Sequence, residues 1–216
     1  MKRPARGLLV RLLRLFDLES LHALRERSPL REDGWFRSFR ERRPVDASGA
    51  PVPWISYAAF RFLAPRVRPE WRVFEFGCGY GTLWWAARVS RVVSCEHDAA
   101  WRERIAALAP GNATLLHVPL EYGGAYARAA IDQGGPFDLI VVDGRDRVRC
   151  AVQSVGALSA GGVLLWDNTD RLNYAPGLDE LRGLGFRRVD FDDLAPVEPI
   201  RTRTSILYRD GNVLGL

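Results

Sequence analysis

The chain has 216 residues, 47% hydrophobic and 26% charged, with a formal net charge of +5. That length sustains one sizeable core with an appended segment rather than two full domains, and the apolar share excludes a disordered chain. Residues 1–43 hold 12 Lys and Arg against 6 Asp and Glu and the remainder 19 against 20, so the basic excess sits at the N-terminus.

Residues 7–27 read as an amphipathic helix, with Leu8, Leu9, Leu12, Leu13, Leu15 and Phe16 at three- and four-residue steps between arginines. Arg11 and Arg14 interrupt this run and no small-residue cleavage site follows, which argues against a signal peptide. No run reaches the roughly 18 apolar residues that a membrane span needs. Pro29, Gly34, Pro44, Gly49, Pro51 and Pro53 mark a turn-rich connector, and a short helix is expected over 56–63. The chain thus divides into a basic helical arm with its connector, 1–54, and a region 55–216 that carries the chemistry.

From residue 71 short apolar runs recur at 72–76, 91–96, 113–117, 137–143 and 162–166. Segments of helical composition lie between them at 83–89, 99–108, 126–132 and 147–158. This alternation predicts parallel strands in a three-layer α/β sandwich, and residues 139–142, apolar throughout, suit a central strand. Two further runs, 187–191 and 204–208, are expected to close one sheet edge as a hairpin. Cys78, Cys95 and Cys150 show no paired metal spacing and read as reduced, mostly buried thiols of a cytoplasmic protein.

The most informative stretch, Glu75-Phe-Gly77-Cys-Gly79-Tyr-Gly81-Thr82, lies directly after a predicted strand and before a helix. Glycines there let the backbone turn sharply and approach a ligand beside exposed helix N–H groups. Glu96 ends the next strand, 19 residues past Gly77, where a carboxylate can accept both hydroxyls of an adenosine ribose. A dinucleotide loop would place its third glycine at 82, which is Thr82, and Glu75 suits an ammonium better than a pyrophosphate. The ligand that joins adenosine to an amino acid without phosphate is S-adenosylmethionine.

On these residues the sequence resembles the class I S-adenosylmethionine-dependent methyltransferases, over roughly 55–216. Glu75, Gly77, Gly79 and Gly81 match the family's first motif, acid-x-Gly-x-Gly-x-Gly, and Glu96 its second-strand acid. The resemblance implies a Rossmann-like, mostly parallel seven-stranded sheet in the order 3-2-1-4-5-7-6. It also implies S-adenosyl-L-methionine as cofactor, with His97 beside the adenine or else in a solvent-facing loop.

Asp143 follows the fourth predicted strand and Asp167-Asn168 the fifth, so all three should meet at the glycine-loop edge. Three such oxygen ligands suit Mg²⁺, which would lower the pKa of an acceptor hydroxyl and fix its position. This is similar to the metal-dependent O-methyltransferases of the catechol, caffeoyl-CoA and macrolide-sugar types. Without a metal, Asp143 reads as a cofactor-side carboxylate and Asp167-Asn168 as a turn.

Catechol-type enzymes carry a lysine three residues past the first metal aspartate, and that position here is Asp146. The base is therefore open between metal-bound hydroxide, Asp146 and Asp170, with Asp143 and Asp167 beside them as catalytic candidates. Arg145, Arg147 and Arg171 crowd the same edge, either to clamp an acidic substrate or to balance the aspartates.

The expected function is O-methylation of a small-molecule hydroxyl. The alternatives are an RNA or protein methyltransferase using the basic arm, or a binding module for an adenosine ligand without turnover. For the arm itself the readings are docking on the domain or a second copy of the chain, peripheral contact with an anionic membrane, and nucleic acid. Pro53, Trp54, Ile55, Ser56 and Tyr57 are expected either to cover the site or to pack on the sheet, and Trp84 and Trp85 to lie in the core.

Overall fold

The computed structural model describes residues 17–216. The expected arm helix is seen there as α1 (Leu18–Arg27), which buries none of its residues. Its first half, with the leucines at 8–15, lies outside the described residues. The connector is more helical than its breakers suggest, with α2 (Pro29–Glu32) and α3 (Trp35–Glu41). Pro29 opens α2 at a position that needs no N–H, and Gly34 takes the left-handed conformation that starts α3. The helix expected over 56–63 is α4 (Tyr57–Leu63), capped by the Ser56 hydroxyl on the Ala59 amide.

The rest of the chain runs β1 (Arg72–Phe76), α5 (Tyr80–Ala86), β2 (Arg91–Glu96), α6 (Ala99–Ala106), β3 (Ala113–His117), α7 (Ala125–Asp132), β4 (Phe137–Val142) and α8 (Arg147–Gln153). It ends with β5 (Leu158–Asp167), α9 (Ala175–Gly183), β6 (Arg187–Ala195) and β7 (Glu198–Tyr208). The seven strands form one sheet in the order 3-2-1-4-5-7-6. Strands β1 to β5 pair parallel, and β7 runs antiparallel between β5 and β6. This is the Rossmann-like architecture expected. Helix α9 was not expected, because Pro176 and Gly177 sit in its first turn.

The period of two along each buried strand sorts side chains between two cores. Phe74, Phe76, Ile140, Val142, Leu164 and Trp166 face a core shared with Tyr126 and Ala130 of α7, Ala151 of α8 and Leu181 of α9. Val73, Leu139, Val141, Val163 and Leu165 face the other, against Leu63 of α4 and Trp84 and Trp85 of α5. The three cysteines are buried and unpaired. Among the described residues no helix is long and apolar enough to cross a membrane.

The sheet order decides what happens at its carboxyl edge. Strands β2, β1, β4 and β5 are neighbours, so Glu96, Gly77, Asp143 and Asp167 emerge side by side where the chain direction of the sheet's build-up reverses between β1 and β4.

Candidate active site

A cleft of about 570 Å³ lies at that edge, a size usual for cofactor and small-molecule sites. Its floor is the glycine loop and its flanks are Glu75, Glu96, His97 and Trp101 on one side and Asp143, Arg145, Asp167, Asn168 and Arg171 on the other. Arg42, Arg43, Pro44, Pro53, Trp54 and Ile55 form the front wall. Pro53, Trp54 and Ile55 thus line the cleft, while Ser56 and Tyr57 are buried and do not.

The three glycines meet different surroundings. Gly77 has φ +89, and a Cβ there would meet Gly144 Cα at 2.8 Å. A Cβ at Gly81 would lie 2.7 Å from Glu75 Oε1. Gly79 is extended and a Cβ there would meet nothing within 4 Å. No protein neighbour demands a glycine at 79, so its missing side chain leaves room in the cleft itself.

Glu75 is buried, and its Oε2 accepts from the hydroxyls of Thr82 and, at 2.9 Å, Ser94. No donor among the described residues reaches Oε1. Burial pushes this carboxyl up to about 8, against the pull of those two hydroxyls. Thr82 also accepts from the Gly79 amide at 3.0 Å, so one hydroxyl ties the loop to the acid.

Glu96 braces the loop from the other side. Its Oε1 accepts from the His97 and Asp98 amides at 2.7 and 2.9 Å, and its Oε2 from the Cys78 amide at 3.3 Å. Oε2 keeps capacity for a ribose hydroxyl. His97 Nδ1 lies 2.5 Å from Glu96 Oε1 but off hydrogen-bond angles, leaving that buried nitrogen without a hydrogen-bond partner.

Trp101, not singled out in the sequence, is part of the same wall. Its indole Nε1 donates to the Cys78 carbonyl at 2.7 Å, and the ring is 37% exposed on the cleft. An aromatic two residues into a helix that begins just past Glu96 was the available signal.

On the other flank, Asp143, Asp167 and Asn168 converge as expected, but around the guanidinium of Arg147 rather than around an open space. The set does not fit Mg²⁺, because a cation already stands where the ion would. Among the described residues no group of three or more His, Cys, Asp or Glu side chains is placed to hold a metal.

The two carboxylates differ in what they have left to offer. Asp167 has both oxygens taken, by the Thr204 hydroxyl at 2.5 Å and the Asn168 amide at 2.6 Å. Burial and the nearby Asp143 charge push Asp167 up to about 8, with Arg147 pulling the other way. Asp143 gives Oδ1 to Arg147 at 2.8 Å, its side chain is 27% exposed, and no described donor reaches its second oxygen.

Asp146 needs correction as a base. It adopts φ 45 at the start of α8, accepts from the Gly123 amide at 2.6 Å and pairs with Arg149, away from the cleft. Arg145 and Arg171 line the cleft and form no ion pair among the described residues, whereas Arg147 balances the aspartates.

No protein-family model matches the sequence, and no curated protein matches it. Solved structures do. Precorrin-8w decarboxylase of Methanobacterium thermoautotrophicum aligns with TM-score 0.54 at 18% identity, over 78% of this chain and 97% of that one. An rRNA methylase of Streptococcus thermophilus aligns with TM-score 0.53 at 14% identity, over 70% and 95%. An S-adenosylmethionine-dependent O-methyltransferase of Thermotoga maritima gives 0.54 at 15%, over 71% and 64%. At such identities it is the architecture that is shared: the chain has the Rossmann-like fold on which these three proteins are built.

Proposed function

We propose that the protein is an S-adenosylmethionine-dependent methyltransferase acting on a hydroxyl of a small, negatively charged acceptor. The observation that carries it is the pairing of open floor and free acid. Gly79 leaves the cleft open between Glu75, with one oxygen unmatched, and Glu96, with one acceptor position to spare. An amino acid at one end and a ribose at the other is the ligand these two carboxylates suit, and Trp101 and His97 offer ring faces for a base.

Bound there, S-adenosylmethionine supplies a methyl group already activated on sulfur. The chain's part is to orient an acceptor in line and take its proton. Asp143 is the group for the second task, since it lines the cleft with one carboxylate oxygen free. Arg145 and Arg171 face the same space without carboxylate partners, which favours an acceptor bearing a carboxylate or phosphate.

Calorimetry with S-adenosylhomocysteine tests the cofactor assignment. The wild type should bind one equivalent, and Glu96→Ala should bind at least tenfold more weakly. No binding by the wild type would overturn the reading. Transfer of labelled methyl to a panel of hydroxy acids and to total RNA then separates a small acceptor from a polynucleotide.

A further inference from the structure

The acidic pair at the ends of β4 and β5 brings its own cation. Arg147, the first residue of α8, is buried, with 9% of its surface exposed. Its guanidinium has five N–H donors, and five oxygens face them. Nε donates to the Gly144 carbonyl at 3.0 Å. Nη1 donates to the Asp167 carbonyl at 2.7 Å and to Asn168 Oδ1 at 3.1 Å. Nη2 donates to the Asp143 carbonyl at 3.0 Å and lies 2.8 Å from Asp143 Oδ1. The Asp167 carboxylate is within 3.9 Å of Nη1.

Carboxylate, amide and carbonyl oxygens in one cluster are the ligand types of a hard divalent cation. Here they are disposed around a planar fork, which an arginine matches and a spherical ion does not. The guanidinium also takes only one of the two Asp143 oxygens, so it fixes that carboxylate with its other oxygen toward the cleft.

We propose that Arg147 is the resident cation of this site: it stands in the place of a divalent ion, holds the Asp143–Asp167 pair together, and positions Asp143. The assignment rests on the Arg147 contacts and needs no cofactor, so its failure leaves the methyltransferase reading intact, and the reverse.

Titration of the full-length protein with Mn²⁺ alone, followed by calorimetry, tests it. The wild type should show no saturable binding, and its thermal unfolding should not respond to a chelator. Arg147→Ala should gain one Mn²⁺ per chain, at least tenfold tighter than any wild-type binding, and Arg147→Ala/Asp167→Asn should lose it again. One Mn²⁺ bound by the wild type and lost in Asp167→Asn overturns the proposal, as does a folded Arg147→Ala that binds none.

If Arg147→Ala does not fold, the triple variant Arg147→Ala/Asp143→Asn/Asp167→Asn decides. With no charge left to compensate it should fold, and a triple variant that also fails to fold overturns the proposal.

Discussion

Glu75 and Gly81 share one space: the carboxylate's Oε1 lies 2.7 Å from where a Cβ on residue 81 would stand. The acid cannot retreat, because Thr82 and Ser94 hold its other oxygen. Gly81→Ala is therefore expected to cost about 1–3 kcal/mol by overpacking, a Tm fall of roughly 2–12 °C for a chain of this size. Gly79→Ala meets nothing and should leave stability within about 0.5 kcal/mol, while weakening S-adenosylhomocysteine at least tenfold. Thermal unfolding and calorimetry on the two variants check the contrast. Equal effects on affinity and stability in both would refute a ligand role for residue 79.

The pH response follows from Glu75. A carboxyl raised to about 8 in the folded protein holds its proton more tightly there than in the unfolded chain, where the ordinary value is 4.5. Between those two values the folded state binds more protons, so this group's contribution falls as pH rises from about 4.5 to 8 and is flat outside that window. Urea unfolding at pH 5 and pH 8 should show a smaller loss for Glu75→Gln than for the wild type. A ligand ammonium binds the ionised form, so S-adenosylhomocysteine affinity should climb towards pH 8. Below that pH binding should release a proton, read by calorimetry in buffers of different ionisation enthalpy.

Trp101 presents a ring to the cleft and is pinned through its indole N–H to the Cys78 carbonyl. Base–aromatic stacking contributes about 1–3 kcal/mol, so Trp101→Ala should weaken S-adenosylhomocysteine roughly 5- to 150-fold. Trp101→Phe keeps a ring face and should recover most of that. Wild-type affinity in Trp101→Ala would remove the indole from the site.

Arg145 and Arg171 carry the acceptor's charge in the proposed reaction. Arg145→Gln and Arg171→Gln should each raise the acceptor KM about tenfold for acids and leave S-adenosylhomocysteine affinity unchanged. The difference should vanish for a neutral acceptor analogue, measured by steady-state methyl transfer.

Much of this architecture is written in local pattern. Residues 139–142 are apolar at every position because β4 is covered on both faces, and the runs expected at 72–76, 91–96 and 113–117 are β1, β2 and β3. What escaped did so where one residue type does two jobs. Pro29 and Gly34 read as breakers yet sit at helix starts, and Pro176 and Gly177 stand in the first turn of α9. The fifth strand is expected from 162, yet β5 begins at Leu158 and runs through Gly161 and Gly162, where a Cβ at 162 would lie 2.6 Å from the Phe137 carbonyl.

The site divides in the same way. Glu75, the glycines and Glu96 are fixed by position along two adjacent strands, so spacing reveals them. Arg147 is one of 30 arginines, and nothing in its neighbours distinguishes a buried guanidinium from an exposed one. Only the tertiary meeting of β4, β5 and α8 shows that its charge is spent inward. Trp101 was hidden because an aromatic on a short helix usually packs into a core, and this one faces the cleft.

The front wall of the cleft is tied to the last strands of the sheet. Trp35 donates to the Glu198 carbonyl at 2.9 Å, Arg61 bridges Asp33 and Asp193, and the Ser56 amide donates to Thr204 at 3.0 Å. Thr204 in turn donates to Asp167. The glycine loop and its two acids precede β6 and β7 in the chain, but a domain folds as a unit. The cleft is therefore walled off only once residues 198–208 have joined the sheet, so enclosure belongs to the finished molecule.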